Sequence, residues 1–163
     1  MIERQRNGTG GFTIVEMLVT IVIVGILASA VVPLVELSVQ RNKEQDLRVA
    51  LREIRTAIDT YRQAVDEGRI EKLAGESGYP RHLEDLVAGI PDAKNPKGGK
   101  LYFLRRIPMD PMRRDSDGSV AGARWGLRSY ASSPEEPKEG EDVFDVYSLS
   151  VAIGMNGIPY REW

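Results

Sequence analysis

The sequence predicts an α+β fold: a long N-terminal helix, half anchor and half amphipathic, packed on a small antiparallel β-sheet of about three strands. Three observations point there. Residues 17–35 run nineteen positions without a charge. Leu47, Ala50, Leu51, Ile54, Ala57, Ile58, Tyr61, Ala64 and Val65 recur at spacings of three and four, the mark of one buried helical stripe. Further on, short apolar stretches at 101–104, 124–130 and 143–149 alternate with Pro- and Gly-rich turns, as strands do.

The apolar run comes first. A helix over 17–35 is roughly 28 Å long, close to the hydrocarbon thickness of a bilayer. It has no polar face, so it belongs in a membrane or somewhere equally dry. Glu16 sits at its edge, where a carboxylate is costly. Either it snorkels to lipid headgroups, or it awaits a cation supplied by another molecule. Residues 1–11, MIERQRNGTGG, are polar, carry Arg4 and Arg6, and end in a glycine pair. This is no secretory signal, because the apolar run follows the small residues instead of preceding them. Cleavage after Gly11 would leave the run attached and create a new amino terminus at Phe12. Gly25 and Pro33 interrupt the run. Proline removes a helical hydrogen bond, so Pro33 marks either a tolerated kink or a point where the helix can bend or unwind. Gly25 and Ala28 are either small residues for close helix approach or filler.

The amphipathic stripe then continues the helix. Arg48, Arg52, Glu53, Arg55, Asp59, Arg62 and Gln63 fill its other face, and Gly68 is suited to end it in the left-handed conformation. Residues 12–67 thus read as one nearly continuous rod, about 84 Å long by the helical rise. The lower stripe can bury against the domain that follows. The upper half has nothing in its own chain to cover it and must meet lipid or copies of itself.

Residues 69–79 read as a loop and residues 80–87 as a short helix, with Pro80 in its first turn and Gly89 ending it. The single histidine, His82, lies there as a surface residue. Residues 90–99 read as a loop, and 107–111 as the turn leaving the first strand. In the second strand Trp125 and Leu127 share one face, Arg128 and Tyr130 the other. A sheet of these strands laid on the helix stripe buries both apolar surfaces.

Gly11-Phe12-Thr13-Ile14-Val15-Glu16 followed by the apolar run resembles the processing site of type IV pilins and type II secretion pseudopilins. The resemblance implies a prepilin peptidase that cuts between Gly11 and Phe12 and N-methylates Phe12. It also implies that Glu16 pairs with the Phe12 amine of a neighbouring subunit, setting register in a filament. It implies a leader over 1–11, a transmembrane and polymerisation segment over 12–37, and a periplasmic domain over 38–163. It further implies that Pro33 is a point of unwinding as the subunit leaves the bilayer. Residues 101–111, ending in Pro108-Met109-Asp110-Pro111, and residues 144–157, with Tyr147-Ser148 and Gly154-Met155-Asn156-Gly157, are similar to segments of the major pseudopilins. The implied function is a subunit of a periplasmic pseudopilus that drives protein export. Its implied partners are copies of itself, other pseudopilins, an inner-membrane platform protein and a cytoplasmic ATPase. The alternatives are a type IV pilus or DNA-uptake subunit, and a signal-anchored periplasmic binding module.

Composition narrows these choices. The 163 residues suffice for one domain plus an anchor, and a net charge of −2 gives no basic surface for nucleic acid. Arg4 and Arg6 ahead of the run favour a cytoplasmic amino terminus with the remainder translocated, against the partial offset of Glu3 and of Arg41 and Lys43 after the run. The resemblance implies an inner-membrane protein with its domain in the periplasm. There is no cysteine, which excludes thiolate metal sites, Cys–His catalysis and the C-terminal disulfide common in type IV pilins. No phosphate-cradling loop, paired-histidine zinc helix or nucleophile-elbow serine is present, so no enzyme is expected.

Major pseudopilins of this kind bind calcium in a C-terminal loop. Here an amide, Asn156, stands where an acid is expected, with only Glu162 nearby. Asp142 and Asp145 are the candidate ligands left, and no cofactor is the expectation. Asp115-Ser116-Asp117-Gly118-Ser119 reads as a polar turn without the rest of a calcium loop. Residues 135–142 form an acidic loop, either solvated or a dock for a neighbour's arginines.

Overall fold

A computed structural model describes residues 11–95, 97–113 and 125–163. Ten of the eleven residues that the resemblance implies are a leader (1–10), the turn expected over 115–119 and Arg124 lie outside the described residues. The chain divides into two compact units, the first ending at Gln40 and the second running Arg41–Trp163.

One helix, α1 (Ile14–Asp66), spans both stretches that the sequence marks as helical, and its assignment runs through positions 25 and 33. In the first unit every side chain described from residue 11 to 39 is exposed. Three hydroxyls in this segment turn their donors back on the helix. Thr20 donates to the Met17 carbonyl at 2.9 Å, Ser29 to Ile26 at 2.7 Å and Ser38 to Leu34 at 3.0 Å. The hydroxyl protons are thereby satisfied without water, and the segment stays compatible with hydrocarbon.

In the second unit the predicted stripe is the core. Leu47, Ala50, Leu51, Ile54, Ala57 and Ile58 are buried with Leu83, Leu86, Leu104, Trp125, Val143, Val146 and Tyr160. Ala64 and Val65 form a second cluster with Ile70, and Tyr61 packs against both. Gly68 ends α1 as predicted, at φ 69°. Its amide donates to the Val65 carbonyl and that of Arg69 to Ala64, both at 2.9 Å. This is the paired Schellman arrangement, which satisfies the last carbonyls and folds Ile70 back onto the helix.

The short helix α2 is Asp85–Ala88, later than Pro80 suggests, and Gly89 follows it at φ 80°. Strands β1 (Ile90–Pro91) and β2 (Lys100–Leu101) pair antiparallel, as do β3 (Gly126–Arg128) and β4 (Asp145–Tyr147). The α+β class holds, but the strands form two separate pairs in place of one sheet of three. The reason lies at Phe103 and Leu104. Both amides donate to the Leu86 carbonyl, at 3.0 and 2.9 Å, so the backbone after Leu101 serves the end of α2 and leaves the ladder.

The β3–β4 pair is tightly built. Gly126 faces Tyr147 across the ladder, and a Cβ at Gly126 would lie 2.3 Å from the tyrosine ring. Trp125 and Leu127 join the core, and the Trp125 indole donates to the Pro108 carbonyl at 2.9 Å. Arg128 and Tyr130 take the other side with Phe144, the guanidinium 4.6 Å from the ring centroid and the two rings 5.5 Å apart edge-on. Tyr79 completes this satellite, its ring 4.9 Å from Phe144.

Candidate functional site

The start of α1 is the candidate processing and assembly site. Gly11 and Phe12 precede the helix and are exposed, Phe12 at 76%. Thr13 caps the helix, its Oγ1 accepting the Glu16 amide at 3.2 Å, while its carbonyl accepts the Met17 amide at 3.1 Å. Thr13-x-x-Glu16 is therefore also a capping sequence, with the acid in the first turn where the helix dipole favours it. Thr13 is a residue that sequence reasoning missed, although its signal, a threonine three positions before a glutamate and an apolar run, was in plain view. Glu16 stands four residues after Phe12 and one before the uncharged run.

The two segments that resemble major pseudopilins meet in the second unit. Asp110, 4% exposed, accepts the Met112 amide at 2.9 Å and the Ser148 hydroxyl at 2.7 Å. The turn after β2 is thus locked to the end of β4 by a buried charge-assisted bond.

Residues 6–32 match the family model described as the prokaryotic N-terminal methylation motif. Over 142 residues the chain is 31% identical to the type II secretion system core protein G of Klebsiella pneumoniae, covering 86% of this chain and 93% of the relative. The chain belongs to the type II secretion core protein G family. It is also 32% identical over 157 residues to the protein of that name in Pectobacterium carotovorum subsp. carotovorum, covering 90% of this chain and 86% of the relative. Against the Pseudomonas aeruginosa protein the identity is 29% over 141 residues, 85% of this chain and 92% of the relative. No solved structure matches the chain.

In this major pseudopilin the two candidate calcium ligands are engaged by hydrogen-bond donors. Asp142 accepts the Ser129 hydroxyl at 2.8 Å and the Tyr130 amide at 2.9 Å. Burial pushes its carboxyl up, but hydrogen bonds from Ser77, the Tyr130 amide and Ser129 together outweigh that and hold it below its ordinary value. Asp145 accepts from Arg55 at 2.7 Å and Arg128 at 3.2 Å. N–H and O–H groups aimed at a carboxylate are the reverse of what a cation site presents, so neither residue fits calcium. Among the described residues no group of three or more His, Cys, Asp or Glu could hold a metal ion.

What binds the C-terminal segment instead comes from α1. Glu44, 6% exposed, accepts the Met155 amide at 2.7 Å and the Tyr160 hydroxyl at 2.9 Å through the same oxygen, Oε1. Arg55, read from sequence as part of a polar face, donates to the Val146 carbonyl at 3.1 Å and to the Trp163 backbone oxygen at 2.7 Å. Arg48 lies 4.5 Å from the Trp163 ring centroid. Glu44 was missed because it is an acid, yet it stands one step before Leu47 on the buried stripe, which was the available signal. His82 is exposed, as expected of a surface residue. In the acidic loop, Glu135 accepts from Ser133 at 2.8 Å and Glu136 pairs with Lys138 at 3.3 Å.

Proposed function

We propose that this pseudopilin is a structural subunit of a periplasmic pseudopilus. It is held in the inner membrane by α1 until a prepilin peptidase cuts between Gly11 and Phe12 and methylates the new amine. Processed subunits then polymerise with copies of themselves and with other pseudopilins. Glu16 of one subunit meets the Phe12 amine of the next, and growth driven by a cytoplasmic ATPase through a platform protein moves cargo outward. The chain acts as a building block and not as a catalyst.

The observation that carries this reading is a methylation motif fused to a helix segment whose described side chains are all exposed and which, from 17 to 35, is uncharged and apolar apart from Thr20 and Ser29, whose hydroxyls bond back to the helix. Apolar area removed from water contributes roughly 25 cal/mol per Å². A subunit resting in lipid has already gained most of that, so transfer into a filament is near balance and a motor is needed. An amine and a carboxylate, each costly alone in a dry core, neutralise one another only in register.

Glu16→Ala tests it. In cells carrying the secretion machinery, mass spectrometry of the variant should find the eleven leader residues gone and a methyl group on Phe12, while sheared filaments fall to background. Filaments at normal yield would overturn the register role, and an intact leader on the wild-type chain would overturn processing.

A further inference from the structure

We propose that the C-terminal loop of this chain is closed by the Glu44 carboxylate, a clasp supplied by the protein itself, and that its order does not depend on calcium. The inference does not rest on the filament reading.

The loop brings its own hydrogen bonds. Gly154 and Ile158 pair through the Gly154 amide at 2.9 Å, the Gly157 amide returns to the Gly154 carbonyl at 2.9 Å, and Ile153 bridges to Pro159. The Asn156 side-chain oxygen accepts the Ile158 amide at 3.0 Å. The Gly154 and Ile158 carbonyls and the Asn156 side-chain oxygen in this loop already accept N–H groups. Calcium requires six to eight oxygens, several of them charged. The nearby carboxylates Asp142 and Asp145 are engaged by Ser, Arg and backbone donors.

Glu44 fills the structural role left open. A buried carboxylate is expensive unless hydrogen-bonded, and this one takes a backbone amide from inside the Gly154–Gly157 turn and a phenol from the 2%-exposed Tyr160 just beyond it. The two donors lie 111 and 116 positions away in sequence. One side chain on the core helix therefore ties both limbs of the loop. The Tyr160 ring stacks edge-on against Trp163 at 5.0 Å, extending the clasp to the last residue.

The test is amide hydrogen exchange on the full chain in detergent micelles, unpolymerised, so that its outcome is separate from that of assembly. In the wild type the Met155 amide should exchange at the same rate with excess EGTA and with millimolar calcium, a concentration above the roughly 10⁻⁴–10⁻³ M affinities of extracellular calcium modules. Glu44→Ala should speed Met155 exchange by about tenfold or more, the factor expected from losing one charge-assisted bond. Glu44→Gln, which keeps an acceptor oxygen, should recover most of the protection. Tyr160→Phe removes one donor without opening the core, and should loosen residues 158–163 even if Glu44→Ala fails to fold. Slowing of Met155 exchange by calcium in the wild type would overturn the proposal. So would unchanged exchange in Glu44→Ala, or in Tyr160→Phe where the alanine variant is unfolded.

Discussion

Asp110 and Ser148 are 38 positions apart, both buried, and joined at 2.7 Å. Each makes sense only with the other present. Removing the serine hydroxyl leaves one lobe of a buried carboxylate without a donor, a cost of about 1–3 kcal/mol. Removing the carboxylate strands the Met112 amide as well. Denaturant unfolding of Ser148→Ala, Asp110→Ala and the double variant should therefore give non-additive losses, with a coupling of about 1 kcal/mol or more. Additive losses would mean that the bond contributes nothing net. Glu16 differs in kind: it is exposed, at a helix start, and its electrostatic cost arises only where water is absent. Of the two acids, Asp110 therefore serves folding, while Glu16 stands exposed and adds no buried contact.

At the scale of elements, α1 was legible, α2 chiefly at its Gly89 end, and the small strands only partly so. The stripe from Leu47 to Val65 predicted the buried face residue by residue, because only a helix with one covered side sustains a 3.6 period over about five turns. Gly68 was legible for a local reason, since only its left-handed φ lets two amides reach back to Val65 and Ala64. β1 was read as loop because two residues, one a proline, carry no period. The stretch from Leu101 was read as a full strand because nothing local reveals that Leu86 claims the next amides. Glu44 and Arg55 were illegible as ties because their partners lie 90 or more positions away. The end of α1 offers a clean test. A Cβ at Gly68 meets nothing closer than Lys94 at 3.9 Å, so Gly68→Ala probes backbone strain alone. It should destabilise the second unit by about 1–2 kcal/mol, with Gly68→Asn costing less. A loss below a few tenths, read by thermal unfolding, would mean that the turn relaxes freely.

For the molecule as a whole, the division of labour follows from where apolar surface goes. The buried core draws its residues from Leu47 to Tyr160 and, among the described residues, takes none between Phe12 and Val39. The described side chains of that stretch add no internal burial, so they do not stabilise the fold by the hydrophobic term that dominates domain stability. Glu44, Arg48 and Arg55, which tie the C-terminal segment, all lie beyond position 40. A fragment of residues 38–163 keeps a helical turn ahead of Glu44 and every buried contact described. It should be monomeric without detergent and unfold cooperatively, with a midpoint within about 2 °C of the full chain in mild detergent, no more than the ~2–4 °C that losing 1 kcal/mol shifts even a larger domain. Circular dichroism melts and sedimentation check both. A fragment that melts many degrees lower, or that needs detergent to stay dispersed, would show that the apolar half of α1 supports the fold of the second unit.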